Sequence, residues 1–111
     1  MHEYVLAQNI LNKILERAKE RGLKQISYAR VSVGETLLHD KTELEELFIQ
    51  VSKGTLAHGI NLDINITPLK AVCDDCGKEF DAKIKRFDCS KCGSRNIQIV
   101  QGNDLVIEEL Y

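Results

Sequence analysis

Four cysteines, Cys73, Cys76, Cys89 and Cys92, form two CxxC pairs, each followed by a glycine, Gly77 and Gly93. Two residues between thiolates let one tight turn present both sulfurs to a single ion, and glycine permits the backbone conformation just beyond the turn. Twelve residues separate the pairs, enough for a short hairpin that brings the second pair opposite the first. Four sulfurs with no open position describe a structural Zn²⁺ site. An iron centre of the electron-transfer kind, or a thiol redox pair, draws on the same residue type. Neither explains why two pairs with knuckle glycines occur together.

The start of the chain, Met1-His2-Glu3, offers a different donor set. A bulky His2 should protect Met1 from removal, because methionine trimming generally requires a small second residue. The free α-amine then lies one residue from an imidazole, and amines of this kind titrate near pH ~8. Backbone amides between and after them complete a set of closely spaced nitrogens that favours square-planar Ni(II) or Cu(II) over zinc. Such a site needs amide deprotonation, so it should be labile and pH-sensitive, which suits a carrier better than an enzyme. His39 and His58 read as solvated loop residues. Asp40 reads as a cap or turn residue whose carboxylate could serve as an auxiliary donor. No nucleophile–base constellation, phosphate-cradling glycine loop or paired carboxylates for acid–base work are evident.

The elements that must position these residues are legible from periodicity. Leu6, Ile10, Ile14 and Ala18, flanked by Ala7, Leu11 and Leu15, predict an amphipathic helix over residues 4–21, stopped by Gly22. Residues 25–33 read as a strand ending at Gly34. A second helix is expected over 41–52, with Thr42 and Glu45 in a capping-box pattern and Leu44, Leu47, Phe48 and Val51 on one face. Leu62, Ile64 and Ile66 alternate with polar residues in a half-buried strand closed by Pro68. The cysteine module occupies 70–96, and strand-like segments 97–101 and 105–110 flank a Gly102-Asn103-Asp104 turn. The order is helix, strand, helix, strand, metal module, strand, with the module inserted between strands of one sheet.

Composition sets the outer bounds. With 111 residues, 43% hydrophobic and 29% charged, the chain holds one compact domain or a small domain with a metal-stapled satellite. A formal net charge of −2 provides no field to recruit nucleic acid or anionic lipid. Residues 70–95 carry a net +2, which Zn²⁺ with four thiolates cancels, and only Phe80 and Phe87 are available for stacking. That argues against nucleic-acid binding, the main alternative for a zinc ribbon along with a protein-interaction module. The first residues lack the basic and apolar regions of a signal peptide, no apolar run reaches membrane-spanning length, and cysteines confined to CxxC pairs fit a reducing compartment. A cytoplasmic protein without membrane contact is expected.

With these residues in view, the chain resembles the HypA family of nickel metallochaperones that mature NiFe-hydrogenases. The resemblance runs over essentially the whole length. It rests on Met1-His2-Glu3-Tyr4 with Leu6-Ala7-Gln8, Val33-Gly34-Glu35, Lys53-Gly54-Thr55-Leu56-Ala57, the two CxxCG knuckles and the final 105–110 strand. It implies an α+β fold in which a small mixed three-stranded sheet is flanked by two helices, with an inserted zinc-ribbon-like module built on the four cysteines. Residues 1–69, completed by 97–111, would form a nickel-binding α/β domain, and 70–96 a zinc-binding domain. Nickel ligation is implied through Met1, His2 and Glu3, and structural zinc through Cys73, Cys76, Cys89 and Cys92. Family partners are a HypB-type nucleotide-hydrolysing nickel-insertion protein and the hydrogenase large-subunit precursor; some relatives also serve urease. HypA proteins are not enzymes, and a monomer or weak homodimer is expected. After Glu35 the family usually has a small, glycine-containing loop, whereas here the residues are Thr36-Leu37-Leu38-His39-Asp40-Lys41. An aspartate in that loop is associated with nickel in some relatives, which makes Asp40 a candidate auxiliary ligand.

Overall fold

A computed structural model describes residues 2–38, 40–82 and 87–111, with His2 described through its backbone alone. The first helix, α1 (His2–Glu20), buries Leu6, Ala7, Ile10, Leu11, Ile14 and Ala18, the stripe expected from a 3.6-residue period. Glu3 lies in its first turn and Arg17 and Lys19 in its last, each favourable to the macrodipole. Gly22, at φ 68°, ends it. Its N–H donates to Lys19 O (3.1 Å) and that of Leu23 to Ala18 O (2.9 Å), the paired bonds of a Schellman cap.

Strand β1 (Tyr28–Gly34) is central in the first sheet, parallel to β2 (Asn61–Thr67) and antiparallel to β6 (Leu105–Leu110). Ala29, Val31 and Val33 on β1 form one core with α1, Ile64, Ile107 and Leu110. That core also takes Leu44 and Phe48 from α2 (Lys41–Val51), so both helices cover one face. The opposite face is polar. Arg30 reaches Asp63 (3.8 Å) and Glu109 (3.3 Å), Tyr28 donates to Asp63 (3.2 Å), and Ser32 to Glu108 (2.9 Å). A mixed three-stranded sheet with two helices is the α+β arrangement that the resemblance implies. Among the described residues, no helix is long and apolar enough to cross a membrane.

The second sheet is antiparallel, in the order β4 (Glu79–Asp81), β3 (Lys70–Cys73), β5 (Ile97–Gln101). Residues 97–101 were expected to join the first sheet beside 105–110. Instead Ile97 pairs with Cys73 and Ile99 with Ala71, because Ile97 and Ile99 cover the small core of Leu69, Ala71, Phe80 and Ala82 beside the cysteines. Only β6 returns to β1.

Two connections cross between the sheets, Pro68-Leu69 and Gly102-Asn103-Asp104, and residues 34–36 hold both. Gly34 N–H donates to Asp104 O (2.8 Å), while Thr36 N–H and Oγ1 donate to Gly102 O (3.1 and 3.0 Å). Leu69 N–H donates to Glu35 Oε2 (2.8 Å). Gln101 Nε2 adds a bond to Pro68 O (3.0 Å).

Local starts differ from the periodicity reading at two points. Strand β1 begins at Tyr28, three residues later than expected, and Ser27 N–H is taken by Tyr111 O (2.7 Å) outside the ladder. Helix α2 is capped by Asp40, whose Oδ1 accepts the Glu43 N–H (3.2 Å), so Thr42 and Glu45 lie inside the helix instead of forming a capping box.

Candidate metal centre

The two cysteine pairs are carried by two turns of the same construction. In the first, Cys73 N–H donates to Lys78 O (3.0 Å) and Gly77 N–H to Cys73 O (2.8 Å). In the second, Cys89 N–H donates to Ser94 O (2.7 Å) and Gly93 N–H to Cys89 O (2.9 Å). Gly77 and Gly93 adopt φ 75° and 74°, values that a side chain would strain.

The four sulfurs lie within 4.8 Å of one another, with Cys73–Cys92 and Cys76–Cys89 each 3.6 Å apart. A disulfide would require about 2.0 Å. Four thiolates around one tetrahedral ion, each at about 2.3 Å, stand about 3.8 Å apart. The donor set therefore fits a closed tetrathiolate site. Cys73 and Cys89 are buried, and Cys76 and Cys92 exposed, so the cluster has a dry side against the β-sheet and a wet side.

Taken as thiols, the four are unequal. Cys89 is lowered to about 6, chiefly by the backbone N–H of Cys92, with that of Lys91 helping; these lie 3.5 and 3.3 Å from its sulfur. At Cys92 the Ser94 N–H lowers the value, but the hydrogen shared with Cys73 and desolvation outweigh it and push the thiol up to about 12. Backbone dipoles thus make Cys89 the sulfur that sheds its proton first.

Side chains beyond the cysteines bind the two turns together, a contribution that spacing alone did not reveal. Asp75, inside the first CxxC, accepts from Ser94 Oγ and from Asn96 Nδ2 (3.4 Å) on the second turn. Asp74 accepts from Gln98 Nε2 (3.3 Å) on β5, and its N–H donates to Asn96 O (2.8 Å). An aspartate between paired cysteines, facing a Ser-x-Asn after the second pair, is the sequence signal for this tie.

The N-terminal donors are placed less completely. Met1, His39 and the side chain of His2 lie outside the described residues, as do Lys83, Lys85 and Arg86, which were counted in the module's charge. Helix α1 begins at His2, so the first backbone N–H groups have no acceptor within the helix. Glu3 is buried and partnered. Asp40 caps α2, and His58 is exposed in the turns after that helix.

Comparison with known proteins agrees with this architecture. The profile of the family described as "Hydrogenase/urease nickel incorporation, metallochaperone, hypA" matches residues 1–111. The hydrogenase maturation factor HypA of Aquifex aeolicus is 34% identical over 110 residues, spanning 99% of this chain and 96% of its own. That of Archaeoglobus fulgidus is 32% identical over 110 residues, with the same shares. The solution structure of the Ni metallochaperone HypA from Helicobacter pylori superposes with a TM-score of 0.74 at 28% identity, covering 99% of this chain and 96% of that one. With its whole length matched by the family profile and its four-cysteine centre in place, the chain belongs to the HypA family.

Proposed function

We propose that the chain is a nickel metallochaperone of hydrogenase maturation: it holds Ni(II) as cargo at its N-terminus, and Cys73, Cys76, Cys89 and Cys92 hold a permanent zinc ion. The observation that carries this reading is that all four thiols converge on one closed site. Cargo must be released to a recipient, and a closed tetrathiolate site has no open position through which a recipient can compete. A labile site must therefore lie elsewhere. The N-terminus of α1 supplies candidate donors in the Met1 α-amine, the amide and ring Nδ1 of His2, and the amide of Glu3. Those amides carry no intrahelical bond, so using them as ligands leaves the helical ladder intact. Asp40 retains Oδ2 as an auxiliary donor, Oδ1 being used in the cap.

Zinc in the cysteine site would supply much of the folding free energy of its sheet, on the order of 10 kcal/mol in comparable modules. Among the described residues, few are buried there: Leu69, Ala71, Cys73, Phe80, Ala82 and Cys89. Transfer is a ligand-exchange step in which protonation of the amine or amides frees the planar donors while a recipient supplies its own. The recipients in this reading are a HypB-type insertion protein and the hydrogenase large-subunit precursor in the cytoplasm, and the chain performs no catalysis. Metal analysis after mild chelator dialysis tests it. One zinc should remain, and one added nickel per chain should give a diamagnetic square-planar spectrum. Nickel displacing zinc from the sulfurs, with no second site, would overturn it.

A further inference from the structure

The two helices cover one face of the first sheet and leave the other open. The ladders fix what stands there. Tyr28, Arg30 and Ser32 of β1 lie beside Asn61, Asp63 and Asn65 of β2, and Arg30 and Ser32 lie beside Glu109 and Val106 of β6. The register shift between Arg30 and Val31 brings Glu108 to the same face, where it accepts from Ser32 Oγ (2.9 Å). Tyr111 follows, its ring 5.1 Å from that of Tyr28 and tilted by 31°. One guanidinium against three carboxylates leaves this face at −2, the formal net charge of the whole chain, so all other charges sum to zero. Along α1, by contrast, acids and bases are interleaved, as in Lys13, Glu16, Arg17 and Glu20.

The three carboxylates are held from within the sheet. Asp63 uses Oδ2 toward Arg30 and Tyr28, Glu109 uses Oε1 toward Arg30, and Glu108 uses Oε1 toward Ser32. Among the described residues, the second oxygen of each has no partner. The side chains of Arg30, Asp63 and Glu109 are 40, 47 and 46% exposed, and Tyr111 is 62% exposed. We infer that this open face docks an arginine-bearing segment of another protein. Guanidinium groups take the free carboxylate oxygens through charge-assisted bonds, and one lies flat on the Tyr28–Tyr111 pair. Three strands about 4.8 Å apart make a face about 10 Å wide, which one helix or extended segment covers. Pairs this exposed are individually weak, so the contact is transient and salt-sensitive. The inference rests on the sheet face alone and is independent of any metal assignment.

Amide NMR of the zinc-loaded full chain, titrated at low salt with an acetylated, amidated hexa-arginine peptide, tests it. Shifts should concentrate at residues 28–32, 61–65 and 106–111 and fade as salt is raised. Glu108→Gln/Glu109→Gln leaves both side chains able to accept from Ser32 and Arg30, and should weaken binding about tenfold with native amide dispersion retained. Glu45→Gln/Glu46→Gln removes the same charge from the exposed side of α2 and should change binding by no more than about twofold. Tyr111→Ala should weaken it about threefold through the lost ring. Shifts spread evenly over the acidic surface would overturn the inference. So would equal effects of the two charge variants, or no binding at millimolar peptide.

Discussion

Gly34 lies with its backbone directly against that of Gly102, so that a Cβ on Gly34 would overlap the Gly102 carbonyl and stand 2.6 Å from Asn103 N. A Cβ on Gly102 would in turn stand 2.5 Å from Leu69 Cα and 2.7 Å from Pro68 O. Both crossings between the sheets pass through this contact. Gly34 has an ordinary φ of −63°, so space alone demands glycine there, whereas Gly102 at φ 97° is constrained by space and conformation together.

Gly34→Ala should therefore destabilise the fold by about 3 kcal/mol or more, since every overlapping atom is backbone and cannot turn aside. Urea unfolding followed by circular dichroism checks this. A cost under about 1 kcal/mol would mean that the junction is loose.

Glu35→Ala removes the acceptor of Leu69 N–H and should cost about 1–2 kcal/mol. Glu35→Gln keeps an acceptor oxygen and should cost less. Residual dipolar couplings should show the two sheets reorienting more freely in the alanine variant, with each sheet internally unchanged.

Asp40→Ala and Asp40→Asn separate two roles of one side chain. The alanine variant should lose about 1 kcal/mol of stability through the lost cap, and asparagine, itself a good cap, very little. If the carboxylate also touches nickel, both variants weaken nickel binding alike while differing in stability.

Zinc affinity should fall as pH falls, because protons compete for the sulfurs. Cys89 is lowered to about 6 only while its turn is folded, and the zinc-free module is unfolded, so at neutral pH each sulfur sheds a proton on binding as an ordinary thiol of pKa about 8.5 does. Log affinity should thus fall by about four per pH unit between about pH 7 and pH 6, one for each sulfur. Competition with a chromophoric chelator measures it, and Cys89→Ser should lower that slope and abolish tight binding. Removing zinc should unfold the second sheet, β5 included, while α1, α2 and the first sheet persist.

The parts of this molecule legible in its sequence were those set by strong local patterns. The i, i+4 stripe from Leu6 to Ala18 placed α1, and the paired CxxCG turns placed the four sulfurs with their positive-φ glycines. What local pattern could not decide was partnership. Ile97–Gln101 and Leu105–Leu110 look alike as short apolar strands, and only the small core beside the cysteines, with β3 as its middle strand, draws the first away from the second. Thr42 and Asp40 are both acceptable caps by type, and the choice fell to Asp40 through its extended backbone and its bond to Glu43. The bonds of Glu35 and Asp75 span 34 and 19 to 21 positions respectively, separations over which periodicity carries no information.

The proposed role depends most directly on the N-terminal donors. Calorimetric titration of nickel into untagged, zinc-loaded chain beginning at Met1 should give one site. That site should be lost on His2→Ala, and equally on extension by one residue before Met1, with zinc content unchanged. Nickel affinity unaltered by either change would contradict nickel carriage at this terminus.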